Sequence, residues 1–246
     1  MKFANLYAVV SGKGGTGKTT VCAAVTSALS QLGRSVCAVD LDVGLHNLDL
    51  ALGLQDQAIF DLGDVVSGRT SLEKALISRP DLPNLSILAA PADDTDLKQT
   101  DRMEAVLKTL TDRFQYCFID APAGIGSGFQ MAARYAAHAL VVSTPDTPCI
   151  SDSAAAAEQL CEMGIEDARL VVNRVVRRMI RRRNAYNIDE SMDRVGLPLA
   201  GIVFEDRAIT SAFNRCQPLM LTGDKAAAAF LDIAKRLEGF PIRPKF

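Results

Sequence analysis

Excess positive charge is missing from this chain. Lys and Arg total 27 against 29 Asp and Glu, a formal net charge of −2 over 246 residues. A globally basic nucleic-acid binder is not indicated, although a local basic patch can hide in such a sum. Long apolar runs are missing too, and none approaches the ~20 residues that cross a bilayer as a helix. The opening Met-Lys-Phe-Ala-Asn-Leu-Tyr-Ala-Val-Val-Ser-Gly lacks an extended apolar core before a small-residue cleavage site, which argues against a secretory signal. None of the cysteines, Cys22, Cys37, Cys117, Cys149, Cys161 and Cys216, forms a C-x-x-C pair. Several lie in apolar runs, so buried free thiols in a reducing, cytoplasmic setting are expected. No linker, repeat or low-complexity block divides the chain, so a single domain over 1–246 is expected, with a short irregular tail at 240–246.

What the chain has is alternation. Apolar runs of strand length at Leu6–Val10, Ser35–Asp40, Leu85–Ala89, Tyr116–Asp120, Ala139–Ser143, Arg169–Asn173 and Leu199–Phe204 are separated by helical patterns. The clearest helices are Lys18–Leu32, Asp101–Phe114, Ser151–Met163 and Lys225–Leu237. Several strands are apolar on both faces, as expected when helices cover both sides of a sheet. The order predicts an α/β fold: a doubly wound, mostly parallel sheet with right-handed crossovers.

Between the first strand and the first helix, Gly12-Lys13-Gly14-Gly15-Thr16-Gly17-Lys18-Thr19 fits G-x-x-x-x-G-K-[ST] at every position. Glycines allow successive backbone N–H groups to turn toward phosphate oxygens, and the helix N-terminus adds its positive end. The loop from Gly12 to Thr20 is therefore the expected nucleotide cradle. Lys18 would reach the β- and γ-phosphates, and the Thr19 hydroxyl would ligate Mg²⁺. Asp120 ends one apolar strand, and Asp40 and Asp42 end another. Ligands bind at the carboxyl ends of strands in open α/β sheets, so all three carboxylates should converge near the phosphates. Any single one could be a turn-forming aspartate, but each follows an apolar strand in the same way.

Lys13 is one lysine more than such a loop needs. With it, the motif resembles the deviant phosphate loop of the ParA/MinD family of P-loop ATPases. That resemblance implies that Lys13 reaches a partner subunit's ATP, so that ATP binding and homodimer formation become one event. A lysine from each subunit would offset triphosphate charge across the interface. Three further stretches resemble the MinD branch, which places the division septum. They are Asp40-Leu41-Asp42-Val43-Gly44-Leu45-His46-Asn47-Leu48-Asp49, Asp120-Ala121-Pro122-Ala123-Gly124-Ile125 and Asn173-Arg174. Glu205-Asp206 with Asn214-Arg215-Cys216-Gln217-Pro218 resembles the segment lining the base pocket; Cys216 stands where glycine is usual, and Phe204 where proline is common. The resemblance implies that Asp40 and Asp120 lie in or near the metal shell and that Asp42 orients the attacking water. It also implies that Asn173 reads adenine, with Glu205 and Asp206 beside the base. The stretch after Asn173 lacks the aspartate with which GTPases read guanine, so ATP is the expected nucleotide. Slow hydrolysis to ADP and phosphate is expected, with regulators of the MinC or MinE kind as partners.

Two segments depart from that picture. The last helix carries Ala226, Phe230, Ile233 and Leu237 as an apolar stripe expected to pack in the core, and the tail after it contains Pro241 and Pro244. A membrane-binding amphipathic helix is not expected there, so membrane binding should be weak or absent, with at most peripheral attachment at the inner face of the cell membrane. The second segment carries Arg174, Arg177, Arg178, Arg181, Arg182 and Arg183. If 176–185 is helical, Arg177, Arg178, Arg181 and Arg182 share one face. A solvated face is the commonest meaning; anionic lipid, DNA, an acidic partner or the dimer interface are the sharper ones. A ParA-like partition ATPase holding DNA non-specifically and a flagellar-placement regulator are the alternative functions. An iron–sulfur scaffold ATPase is disfavoured by the missing C-x-x-C pair.

Overall fold

The computed structural model describes residues 2–44, 47–95, 97 and 100–244. β1 (Phe3–Val10) runs through the glycine loop into α1 (Lys18–Gln31), and β2 (Val36–Asp40) follows. The short helices α2 (Asn47–Ala51), α3 (Leu62–Ser67) and α4 (Leu72–Ala75) precede the hairpin of β3 (Leu76–Arg79) and β4 (Leu82–Leu88). Next come α5 (Thr100–Arg113), β5 (Tyr116–Asp120), α6 (Ser127–Tyr135), β6 (Ala136–Ser143) and α7 (Thr147–Glu162). The chain continues through β7 (Asp167–Val175), α8 (Arg177–Arg181), α9 (Ile188–Val195), β8 (Leu199–Phe204), α10 (Arg207–Asn214) and α11 (Ala227–Leu237). Among the described residues no helix is long and apolar enough to cross a membrane.

All the strands join one eight-stranded sheet in the order β3-β4-β2-β5-β1-β6-β7-β8, parallel except for the edge strand β3. Period-two alternation sorts the side chains to its two faces. Leu6, Ala8 and Val10 of β1, Cys37 and Val39 of β2, and Cys117 and Ile119 of β5 enter one apolar cluster with Leu107, Phe129, Ile150 and Ile188 from covering helices. Tyr7, Val9, Val36, Ala38 and Phe118 enter the other, beneath Val21, Val25, Leu29, Phe230 and Ile233 of α1 and α11. Both faces are dry, which is why the strands read as continuous apolar runs. In α11, Phe230 and Ile233 are fully buried, while Ala226 and Leu237 pack at the cluster's edge.

Several sequence expectations need correction. The 4-residue β3 was not expected, because its half-buried Leu-Ile-Ser-Arg is too short to show alternation. The arginine segment is not one helix over 176–185. Helix α8 stops at Arg181, Arg182 caps it, and Arg183 turns left-handed at φ 56°. Arg177, Arg178, Arg181 and Arg182 are all exposed, but they are not a four-residue helical face. Not every thiol is buried either: Cys161 is exposed and Cys216 is half-buried. Leu45, His46, Lys245 and Phe246, which figured in the sequence reading, lie outside the described residues.

Candidate nucleotide site

Strand register builds the acidic floor of the site. β1, β2 and β5 are adjacent and parallel, and Asp120 pairs in register with Asp40 on one side and Val9 on the other. Two aspartates distant in sequence therefore end their strands side by side, at the level where the β1 chain turns into the glycine loop. Both are buried, at 1% exposure for Asp40 and 0% for Asp120.

The two carboxylates have different neighbours. Asp120 Oδ1 accepts from Lys18 Nζ at 3.2 Å. Its Oδ2 is buried with no hydrogen-bond partner among the described residues. Burial pushes the Asp120 carboxyl above the usual carboxylate range, while Lys18 and the Thr19 hydroxyl oppose that shift. Asp40 accepts backbone N–H bonds from Asp42 at 2.8 Å and from Leu48 at 3.3 Å, so it braces the loop after β2. Burial, reinforced by the nearby charge of Asp120, raises Asp40 to about 8. Asp42 is half-buried at the edge of this pair.

Two contacts shape the loop above the aspartates. A Cβ placed on Gly12 would lie 2.2 Å from the Asp152 backbone oxygen, so the loop presses directly on α7 and only glycine fits. Gly17 caps α1 at φ 88°, ψ 27°, and a Cβ there would also strike Asn173 Nδ2 at 2.4 Å. Gly15 is left-handed at φ 83° as well, and Gly14 faces Ala123 of the Asp120–Ile125 turn. Thr16 is buried, and its carbonyl accepts from Asn173 Nδ2 at 2.7 Å. Lys13, by contrast, is exposed.

A cavity of about 300 Å³ opens on the other side of the loop. Gly15, Gly17 and Thr20 form its floor, Asn173 one edge, and Phe204, Ile209 and Phe213 its apolar walls. Arg174, Glu205, Asp206 and Thr210 complete the lining. The Asp206 carboxylate is already engaged in capping α10, accepting from Ala208 N at 2.9 Å. Sequence reasoning missed Ile209 and Phe213; their i,i+4 spacing on a short amphipathic helix was the available signal. It also missed Arg174 as a pocket residue. The turn after α10 closes with Cys216 left-handed at φ 49°, the position at which glycine was expected.

The donor set suits a magnesium nucleotide. The loop provides a glycine-shaped cradle at a helix N-terminus, and the buried Asp120 Oδ2, with no hydrogen-bond partner among the described residues, is a carboxylate oxygen left to accept one. Among the described residues no three His, Cys, Asp or Glu side chains form an all-protein cage. A small cation here would thus be completed by phosphate oxygens and water, the usual manner of Mg²⁺.

Sheet order, glycine loop and paired aspartates together define a P-loop nucleotide-binding protein. Residues 7–219 match the model of the CobQ/CobB/MinD/ParA nucleotide binding domain. The septum site-determining protein MinD of Synechocystis sp. is 36% identical over 237 residues, covering 95% of this chain and 89% of that protein. The solved MinC:MinD cell division complex of Aquifex aeolicus aligns at TM-score 0.90 and 33% identity, over 99% of each chain. The septum site-determining protein MinD complexed with Mg-ADP from Pyrococcus horikoshii aligns at TM-score 0.84 and 30% identity, over 96% of each chain. The chain belongs to the MinD branch of this nucleotide-binding family.

Proposed function

We propose that the protein is an ATP-hydrolysing dimerisation switch acting in septum placement. The observation that carries this reading is the contrast between the two lysines of one loop. Lys18 is sealed against Asp120, where it can meet phosphates of its own subunit, whereas Lys13 points to solvent, where it can meet those of another. Gly12, Gly14, Gly15, Thr16, Gly17, Lys18 and Thr19 cradle the phosphates; Thr20 and Asn173 hold the base side, with Glu205 and Asp206 at its rim. Thr19 and Asp120 hold Mg²⁺, and Asp40 fixes the loop that carries Asp42. A Mg²⁺ held there would supply positive charge to offset that developing on the phosphoryl oxygens. Asp42 orients water for in-line attack on the γ-phosphorus, Lys18 offsets the charge that gathers on the β-phosphate oxygen as ADP leaves, and Lys13 of each subunit completes the other's site. The chemistry is positioning and electrostatics rather than covalent catalysis.

A regulator of the MinC kind fits such a switch, as the Aquifex MinD was solved with MinC. Light scattering with a non-hydrolysable ATP analogue tests the reading. The unaltered protein should shift from monomer to dimer, and Lys13→Ala should remain monomeric while still binding the analogue. A dimer formed by Lys13→Ala, or none formed by the unaltered protein, rejects it.

A further inference from the structure

Asn173 and Arg174 are consecutive at the end of β7, and they hold consecutive carbonyls of the glycine loop. Asn173 Nδ2 donates to Thr16 O at 2.7 Å, and Arg174 Nη1 donates to Gly15 O at 3.3 Å. Neighbouring side chains of a regular strand point to opposite faces, so this joint grip requires the strand to break its alternation. It does: Arg174 is left-handed at φ 55°, and the β7–β8 register shifts between Val172 and Val175. A residue with a Cβ is uncommon in that conformation, and here the three-point grip of the guanidinium accompanies it. The same guanidinium reaches Glu205 at the end of β8, through Nε at 2.9 Å and Nη2 at 3.4 Å. Arg174 thus ties three separate segments, β7, the phosphate loop and the start of the β8–α10 turn. Both members of the ion pair line the base cavity on its exposed side.

We infer that Arg174 is a positioning residue for nucleotide exchange: its pair with Glu205 straps the base pocket and couples pocket opening to the phosphate loop. The inference rests on the ATP reading above. The cavity's inner walls are packed apolar side chains, whereas the ion pair that lines it is half-exposed and can open without unpacking a core. When the strap opens, the Gly15 carbonyl loses its donor, so release of the base and loosening of the phosphate cradle occur together. A simple surface ion pair would need neither the strained backbone nor the third contact to the loop.

Stopped-flow release of methylanthraniloyl-ADP with Mg²⁺ tests it on the whole protein. Arg174→Ala and Glu205→Gln should each release nucleotide about fivefold faster, the size of one half-exposed bidentate pair, with the melting temperature of the nucleotide-free protein unchanged. The charge swap Arg174→Glu with Glu205→Arg should recover part of the slow release, restoring the pair but not the Gly15 contact. Release at the unaltered rate in both single variants overturns the strap. So does an acceleration matched by a lower nucleotide-free melting temperature, or a swap no slower than the single variants. If the unaltered protein binds no adenine nucleotide, the ATP reading itself falls and the strap with it.

Discussion

Lys18 and Asp120 in the phosphate cradle have side chains only 7% and 0% exposed, whereas Arg174 and Glu205 at the base pocket are 54% and 40% exposed. Both are ion pairs touching the same glycine loop region, yet their physics differs. A buried pair pays for its desolvation with mutual attraction, so removing one partner strands a charge and costs about 3–5 kcal/mol. An exposed pair is screened by water and contributes about 0–1 kcal/mol. The phosphate end is therefore fixed and intolerant, and the base end is adjustable. Such a division suits the proposed switch, which would hold triphosphate in one geometry but exchange nucleotide readily.

The largest effect is expected where the fixed end meets the chemistry. Asp42→Ala would remove the carboxylate proposed to position the attacking water, while Lys18 and Thr19 remain. Turnover in an ATPase assay should drop ~10²-fold or more with ATP binding retained. Near-normal turnover would mean that the rigid floor does its work without Asp42.

A second effect follows from burying two carboxylates side by side. Asp40 keeps its proton up to about 8 in the folded protein but loses it above the ordinary 3.8 when unfolded. Between those values unfolding releases a proton, so stability is highest at the acidic end and declines as pH rises toward 8. Asp120, also raised, adds the same sign. The slope from a single proton is at most about 1.4 kcal/mol per pH unit. Thermal melts of the nucleotide-free protein from pH 5 to 8 should show this decline, and Asp40→Asn should flatten it. A pH-independent melting temperature would mean the floor is wetter than its burial implies.

The smallest effect belongs to the adjustable end. Cys216 holds φ 49°, a conformation that disfavours any side chain by about 1–2 kcal/mol. Cys216→Gly should relieve that strain and raise stability by about 1 kcal/mol, read from denaturant midpoints. The turn closes α10, whose Ile209 and Phe213 wall the cavity, but Cys216 itself is not in the cavity lining, so the substitution should leave turnover nearly unchanged. A large change in turnover would show that the base pocket is as intolerant as the phosphate cradle.

The two ends were also unequally visible in the sequence. The phosphate loop was readable because its chemistry is local: one strand, one turn and one helix N-terminus, all within Val9–Thr20. Asp40 and Asp120 were readable because each closes an apolar strand. The base pocket was only partly so. Asn173, Phe204, Glu205 and Asp206 came through family resemblance, while Ile209 and Phe213 carry no motif and look like ordinary core residues. Arg174 was visible only as a member of an arginine-rich segment. Its contacts to Gly15 and Glu205 depend on residues 159 and 31 positions away.

The sequence by itself determined the alternation of strands and helices, the glycine loop and the aspartates at strand ends. Each of these depends on properties of neighbouring residues: periodicity, glycine's freedom from a Cβ, and the polarity that ends an apolar run. Only the tertiary structure decided that Asp40 and Asp120 lie in register, that Lys18 is sealed while Lys13 is not, and that Arg174 bridges the loop to Glu205. Those outcomes follow from sheet order and burial, which arise when distant segments share one core and set the dielectric around every charge.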